Sequence, residues 1–544
     1  TVAAGTFNVA GFNLTLSGNW TNSSTISGNT ATATFNGVAA QTITDASGTA
    51  AFGTLIMSGT NTLNFASNVS TISNFTISSG IVDATVANSN LTVGGNYTNS
   101  STFTARKGTV TLNGGAAQTL GGTSATSFYN LTLNGTTVTL GNNQTATNTL
   151  LISGGTLDVS VSNYNLTVGQ NFTNNSVFTA RNGTVTLTGN ATTPLNIDGT
   201  SGTTFHNLTT NPTNAADIVL LGRAMTVNNN LTISKGTLNS QNLQITGNAA
   251  GKLSLAAATS LLLGLTTSAT NILFPTNYTA ANTTLNITST VTYQANVAQS
   301  ISALPTYGNL TITNGNAAVT KTPTGTPLTI AGNLTISKGA GALTVSQTTN
   351  SINLTGNYTS NGILSFTTGN FNIGGNFTNN GTFTAGTSTV TMDGASAQSL
   401  GGTTASTFNL LTINNSGAAI ITLGNNETVS SNFTITKGTL DVSASNFSLT
   451  VKGNFLNSGA FTSRNGTVTL NGAANQSIGG TSTTTFNNLT LSGKTITLNH
   501  NESLLSVLTL TAGALNGPDS LTMISNASGT ARIAPVAAAA SIGA

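Results

Sequence analysis

Apolar and polar residues alternate strictly over short runs along most of this chain. "TVTL" at 109–112 sets Val110 and Leu112 on one side and Thr109 and Thr111 on the other. "NLTL" at 130–133, "LTV" at 166–168 and "TVTL" at 184–187 repeat the arrangement. A period of two predicts short β-strands whose alternate side chains face opposite ways. Leu, Val and Ile would fill an interior. Thr would line the outside, where its branched Cβ suits a strand and its hydroxyl meets water. Each run is bounded by pairs such as "GG", "NG" and "NN", residues that tolerate the backbone conformations of tight corners.

The runs recur in order. "LTVGGNYTNSSTFTARKGTVTLNG" at 91–114 returns as "LTVGQNFTNNSVFTARNGTVTLTG" at 166–189. An aromatic residue stands before an "NLT"-like strand at Phe52, Phe128, Phe205, Tyr307, Phe408 and Phe486, with spacings of 76, 77, 102, 101 and 78 residues. The excess of about 25 in the two long gaps suggests one added structural layer, so that a layer holds about 25 residues and the common unit three layers. Nine β-like segments counted between Asn130 and Asn207 give three short strands per layer. The fold class expected is therefore all-β, a parallel β-helix or solenoid, right-handed by the general rule for parallel crossovers. Phe128, Phe205, Phe408 and Phe486 would then occupy equivalent positions, three or four layers apart. A propeller accommodates an extra layer poorly, and a sandwich array would need linkers that are not evident.

Regular repeats are expected over 1–242 and 354–533, with a less regular solenoid segment over 243–353 and a terminal linker or cap at 534–544. Within the irregular part, "LSLAAATSLLLGLTT" at 253–267 is the most apolar stretch and suits an insertion, a short helix or a buried pair of strands. The chain opens on "GTFNVAGFNLTLSGNW", already in repeat language. An uncapped solenoid end exposes backbone groups and apolar side chains, so self-association or continuation in a longer chain is expected.

Composition narrows the function. Only 4% of residues are charged, against roughly 25% in typical soluble proteins, yet the regular β-branched and apolar positions argue against disorder. A net charge of +3 without Lys/Arg clusters argues against nucleic-acid binding. The chain has no cysteine, so no disulfide framework and no thiolate metal site. No apolar run is long enough to span a membrane.

Candidate chemistry is sparse. Asp83, Asp158 and Asp441 share one slot ("GIVD", "GTLD", "GTLD") that takes Asn at Asn239 and Asn516. A slot that accepts Asn suits a turn residue bonding nearby backbone amides better than a catalytic acid. His206 and His500 are isolated, and no nucleophile elbow, phosphate loop or calcium-binding turn is present. The expectation is no catalysis, no cofactor and no metal. The aromatics of "GN[WYF]" and "QNF" (Trp20, Tyr97, Phe172, Tyr358, Phe377 and Phe455) suit core packing, because Phe replaces Tyr freely. Arg106, Arg181 and Arg464, in "FTAR" or "FTSR", suit the blunting of a sheet edge or corner; the alternative is a ladder for an anionic polymer along one edge. Asn-x-Ser/Thr triplets make Asn130, Asn165, Asn171, Asn207 and Asn488 candidate glycan acceptors.

The phrases "TFNNLTLSG", "GTLDV", "LTVGGNYTN", "GTVTLNG" and "GAANQSIGGTS" resemble those of repetitive extracellular proteins of the Bacteroidota and neighbouring phyla. The ending "SNASGTARIAPV" at 525–536 looks like the phrase that follows such repeats in their large surface proteins. The resemblance implies an adhesin-like chain at the cell surface or outside it, of a kind often exported by the type IX system. The sorting domain such substrates carry is not recognisable, which suggests a piece of something longer. The function expected is a structural extracellular stalk, filament subunit or adhesin segment. The alternative is a β-helical protein that binds or cleaves polysaccharide, with a surface polysaccharide or glycan as partner.

Overall fold

The computed structural model describes residues 1–27, 30–190, 193–325, 327–416, 419–526 and 529–543. The chain is all-β, a solenoid of stacked parallel strands with about 25 turns. Among the described residues the one helical element is a 3₁₀ turn at Ala280–Asn282. Contacts divide the chain into two compact units. The first is Thr1–Leu262 with Pro275–Thr284, and the second is Leu263–Phe274 with Leu285–Ala544.

Each strand pairs in parallel with the strand one turn on. In the first unit Val69, Leu91, Val110, Leu131, Leu150 and Phe172 stand in a single inward column. All six are buried. The alternation read from sequence sets this pattern: in Thr109–Leu112 and Thr184–Leu187 the apolar residues are buried and the threonines half-buried on the outer surface. The outward residues stack as regularly. Thr145, Thr167, Thr186, Thr209 and Thr232 form one column in the first unit. In the second, Thr384, Thr407, Thr428, Thr450, Thr469, Thr490 and Thr509 form another.

Three strands complete a turn, as expected, but turn length varies. Thr184 hydrogen-bonds to Asn165, 19 residues back, whereas Thr200 bonds to Asn175, 25 residues back. The common 76–78-residue unit contains eleven strands, counted from Asn130–Leu133 to Thr203–Phe205. Sequence alternation finds nine of these. It misses Gln144–Ala146 and Asn171–Asn174, where Gln144 and Asn174 point into the core.

Eleven strands on a three-strand turn make three and two-thirds turns, so each repeat begins on a different face from the last. Equivalent placement of the landmark aromatics is thereby corrected. Phe128 lies in the column of Ala146, Val168 and Leu187, whereas Phe205 opposes Val227 in another sheet. Phe408 shares its column with Val429, Val451, Leu470 and Leu491, and Phe486 opposes Leu504. The added layer is present. Fourteen strands run from Asn309–Thr313 to Thr407–Phe408, one three-strand turn more than in the short unit.

The apolar stretch at 253–267 contains a pair of strands, Leu253–Leu255 and Ser260–Leu263, with alternating burial. Near the end of the second unit, Arg532–Ile533 and Ala540–Ile542 add parallel pairings to the stack.

Candidate functional site

The chemistry-bearing residues recur once per repeat. The aromatic slot lies inside: Tyr97, Phe172, Tyr358, Phe377 and Phe455 are fully buried and Trp20 is 7% exposed. In each full repeat the slot forms a triad with the "FT" phenylalanine and the landmark one. Phe172, Phe178 and Phe205 have ring centroids 5.2–5.9 Å apart. Phe455, Phe461 and Phe486 repeat the arrangement. These rings pack the core.

Beneath each triad lies a buried asparagine. Asn99, Asn174, Asn379 and Asn457 donate through Nδ2 to the hydroxyls of Thr126, Thr203, Ser406 and Thr484 at 3.0–3.2 Å. Each Oδ1 accepts the amide N–H two residues on. A buried glutamine closes another corner of the repeat. Gln118 Oε1 accepts the Gly114 N–H at 2.8 Å, while its Nε2 donates to the Val93 and Gly95 carbonyls one turn below. Gln41, Gln398 and Gln476 repeat this staple. The recurring "AQ" and "NQ" phrases were its signal in the sequence.

The shared acid slot behaves as a turn residue. Asp83, Asp158 and Asp441 accept the N–H groups of Thr85, Ser160 and Ser443 at 2.8–2.9 Å, and Asn239 accepts that of Gln241 in the same way. Each aspartate also receives an arginine from the next turn through two hydrogen bonds: Arg106 to Asp83, Arg181 to Asp158 and Arg464 to Asp441, all at 2.6–2.9 Å. The guanidinium hydrogen bonds hold these carboxyls below their ordinary range. Edge placement of the arginines is corrected by the eleven-strand repeat. Arg106 and Arg181 follow Thr102–Thr104 and Val177–Thr179, strands of different sheets, so the two do not stack along one edge.

Asn130, Asn171 and Asn207 open their strands, Asn165 precedes one, and Asn488 lies within Thr485–Leu491. Asn130, Asn207 and Asn488 donate through Nδ2 to Thr109 Oγ1, the Asn182 carbonyl and the Asn465 carbonyl of the turn below. Asn165 instead accepts the Thr184 N–H through Oδ1, and Asn171 accepts from Asn196 Nδ2. The structure brings Arg464 and Asn488 together in a polar groove of about 610 Å³ that Asn465, Asn487 and Ser506 also line.

Three buried ionisable residues carried no signal in the sequence. Glu427 Oε2 accepts the Ser406 N–H at 2.7 Å, and burial pushes its carboxyl up to about 8. Glu502 lies over Thr484 in the same way, raised to about 7 mainly by burial. Their slot holds Gln144 and Met225 in other repeats, so it does not require an acid. Lys321 is fully buried in the second unit. Its Nζ donates to the Tyr293 carbonyl at 3.0 Å and to Gln299 Oε1 at 2.7 Å, and burial lowers it to about 7. Among the described residues no three of His, Asp and Glu gather as a metal site.

No family model, curated protein or solved structure matches this chain.

Proposed function

We propose that this protein is a structural β-solenoid that works outside the cell, as a stalk, filament or adhesin segment at the surface, without catalysis. The observation that supports this reading is how the polar chemistry is used. Aspartates clasp arginines across turns, glutamines and asparagines staple corners inside the core, and aromatic rings pack inward. Such groups join one turn to the next and leave the faces to threonine and asparagine. The phrases shared in style with bacterial surface proteins favour an exported chain, and the lack of cysteine is compatible with one that does not rely on disulfides.

Immuno-electron microscopy of intact and permeabilised cells of the native host tests the proposal. Label on extended material at the surface of intact cells is expected. Label seen only after permeabilisation would overturn it. Incubation of the purified chain with a panel of acidic and neutral polysaccharides should release no reducing ends; release that survives purification to homogeneity would favour the cleaving alternative.

A further inference from the structure

A surface motif that occurs once per repeat cannot form a ladder on one face, because eleven strands do not fill a whole number of three-strand turns. Only a feature present in nearly every strand can line up along a face. Here that feature is a hydroxyl at the strand centre. The column in the second unit runs over nine consecutive strands of one sheet, from Ser346 and Ser365 through the seven threonines to Thr509. Of the positions two residues to either side of these nine, Lys452, after Thr450, is the one that carries a charge. Among the described residues, none of the nine hydroxyls donates to a protein group. The first unit carries a similar column from Ser127 to Ser254.

We propose that these hydroxyl-lined faces bind the surface of ice. Parallel strands stack about 4.8 Å apart, close to the repeat of oxygen atoms along the a axis of hexagonal ice. Each turn offers one hydroxyl to take a lattice position and, at threonine, one methyl to exclude liquid water. Branching at Cβ restricts χ1, and the ladder on both sides fixes the backbone. The array is therefore ordered before it meets the ligand, which reduces the entropy lost on binding. A charge within the array would hold its own disordered hydration shell; none of the nine positions is charged, and Lys452 stands at the margin, beside Thr450 alone. Crystalline polysaccharide is the rival solid. It calls for outward aromatic rings that stack on sugars, and the aromatic columns of this chain point inward.

The test is ice affinity of the full chain. Fluorescently labelled protein is frozen slowly onto a polycrystalline ice surface, and thermal hysteresis is read in the same solution. The wild type should enter the ice and shape the crystals. The double variant Thr186→Lys, Thr450→Lys, altered at one outward position in each column, should be excluded from ice and lose hysteresis. Circular dichroism should match the wild type. Because lysine could perturb the stack, Thr186→Val with Thr450→Val is run beside it; valine keeps the shape and should lower hysteresis without loss of fold. Exclusion of the wild type from ice, including the case where it is retained on insoluble cellulose or chitin instead, would overturn the proposal. So would undiminished ice binding by the folded lysine variant.

Discussion

Glutamine and asparagine do much of the work of holding one turn on the next. Gln118 satisfies the Gly114 N–H and the Gly95 carbonyl at a tight corner, and adds a second hydrogen bond to the Val93 carbonyl, which also accepts the Asn113 N–H. Replacement by leucine fills the volume but strands the Gly114 N–H and the Gly95 carbonyl, and buried polar groups left unpaired cost about 1–3 kcal/mol each. Gln118→Leu should therefore destabilise the surrounding turns by about 3 kcal/mol, read as faster amide exchange over residues 93–118. Glu427 makes the opposite point. Its carboxyl titrates near 8 when folded and near 4.5 when unfolded, so the folded state holds the proton more tightly. Stability is full below pH 4.5 and falls as pH rises toward about 8. Glu427→Gln keeps the neutral shape and removes that loss, so the melting temperature of the variant should exceed that of the wild type by a margin that grows across this window. A constant margin would show that Glu427 does not titrate there. These residues were hard to find in the sequence for one reason. Alternation identifies inward positions by hydropathy, and Gln144 and Asn174 face inward with polar side chains. Thr and Leu positions were legible because each residue type keeps to the face its chemistry prefers.

The corner is the element that the repeat preserves best. Gly122, Gly199, Gly402 and Gly480 share a positive φ of 124–137°, and a Cβ on any of them would run into the carbonyl of Asn99, Asn174, Asn379 or Asn457. Gly402→Ala should strain the backbone and displace the Asn379 to Ser406 bond as well, giving a larger loss of stability than Gly115→Ala, where nothing crowds the new methyl. Equal effects in the two variants would argue against the close approach. The same corner faces the aromatic triad, so Phe205→Ala opens a cavity beside Phe172 and Phe178 and should cost about 3–5 kcal/mol locally. The glycine pairs were legible as corners. The triad was half legible: burial of the "GN[WYF]" aromatics follows from the freedom of that slot to take Phe. Its joining of residues over 30 apart depends on how many strands make a turn, which no local pattern reveals.

At the scale of the whole molecule the sequence announced a stack of parallel strands, three to a turn, and the structure has that architecture. The relation between repeat and turn was less accessible. The two strands missed at Gln144–Ala146 and Asn171–Asn174 turned an eleven-strand unit into an apparent nine, and nine divides evenly by three where eleven does not. The consequence reaches the surface, because it distributes Arg106 and Arg181 over different sheets and leaves only the hydroxyl columns continuous. The register of these columns is the central claim, and the absence of cysteine allows it to be tested with site-specific spin labels. Labels on Thr145→Cys and Thr167→Cys, opposed on adjacent strands, should lie within about 5–10 Å of each other and broaden each other's spectrum strongly. Labels on Ser127→Cys and Thr204→Cys, one residue before successive landmark phenylalanines but in different sheets, should be separated along the stack by roughly 18 Å and interact weakly. Strong broadening in the first pair with little in the second is the predicted result; a first pair no broader than the sum of its single labels would contradict the stack of in-register turns.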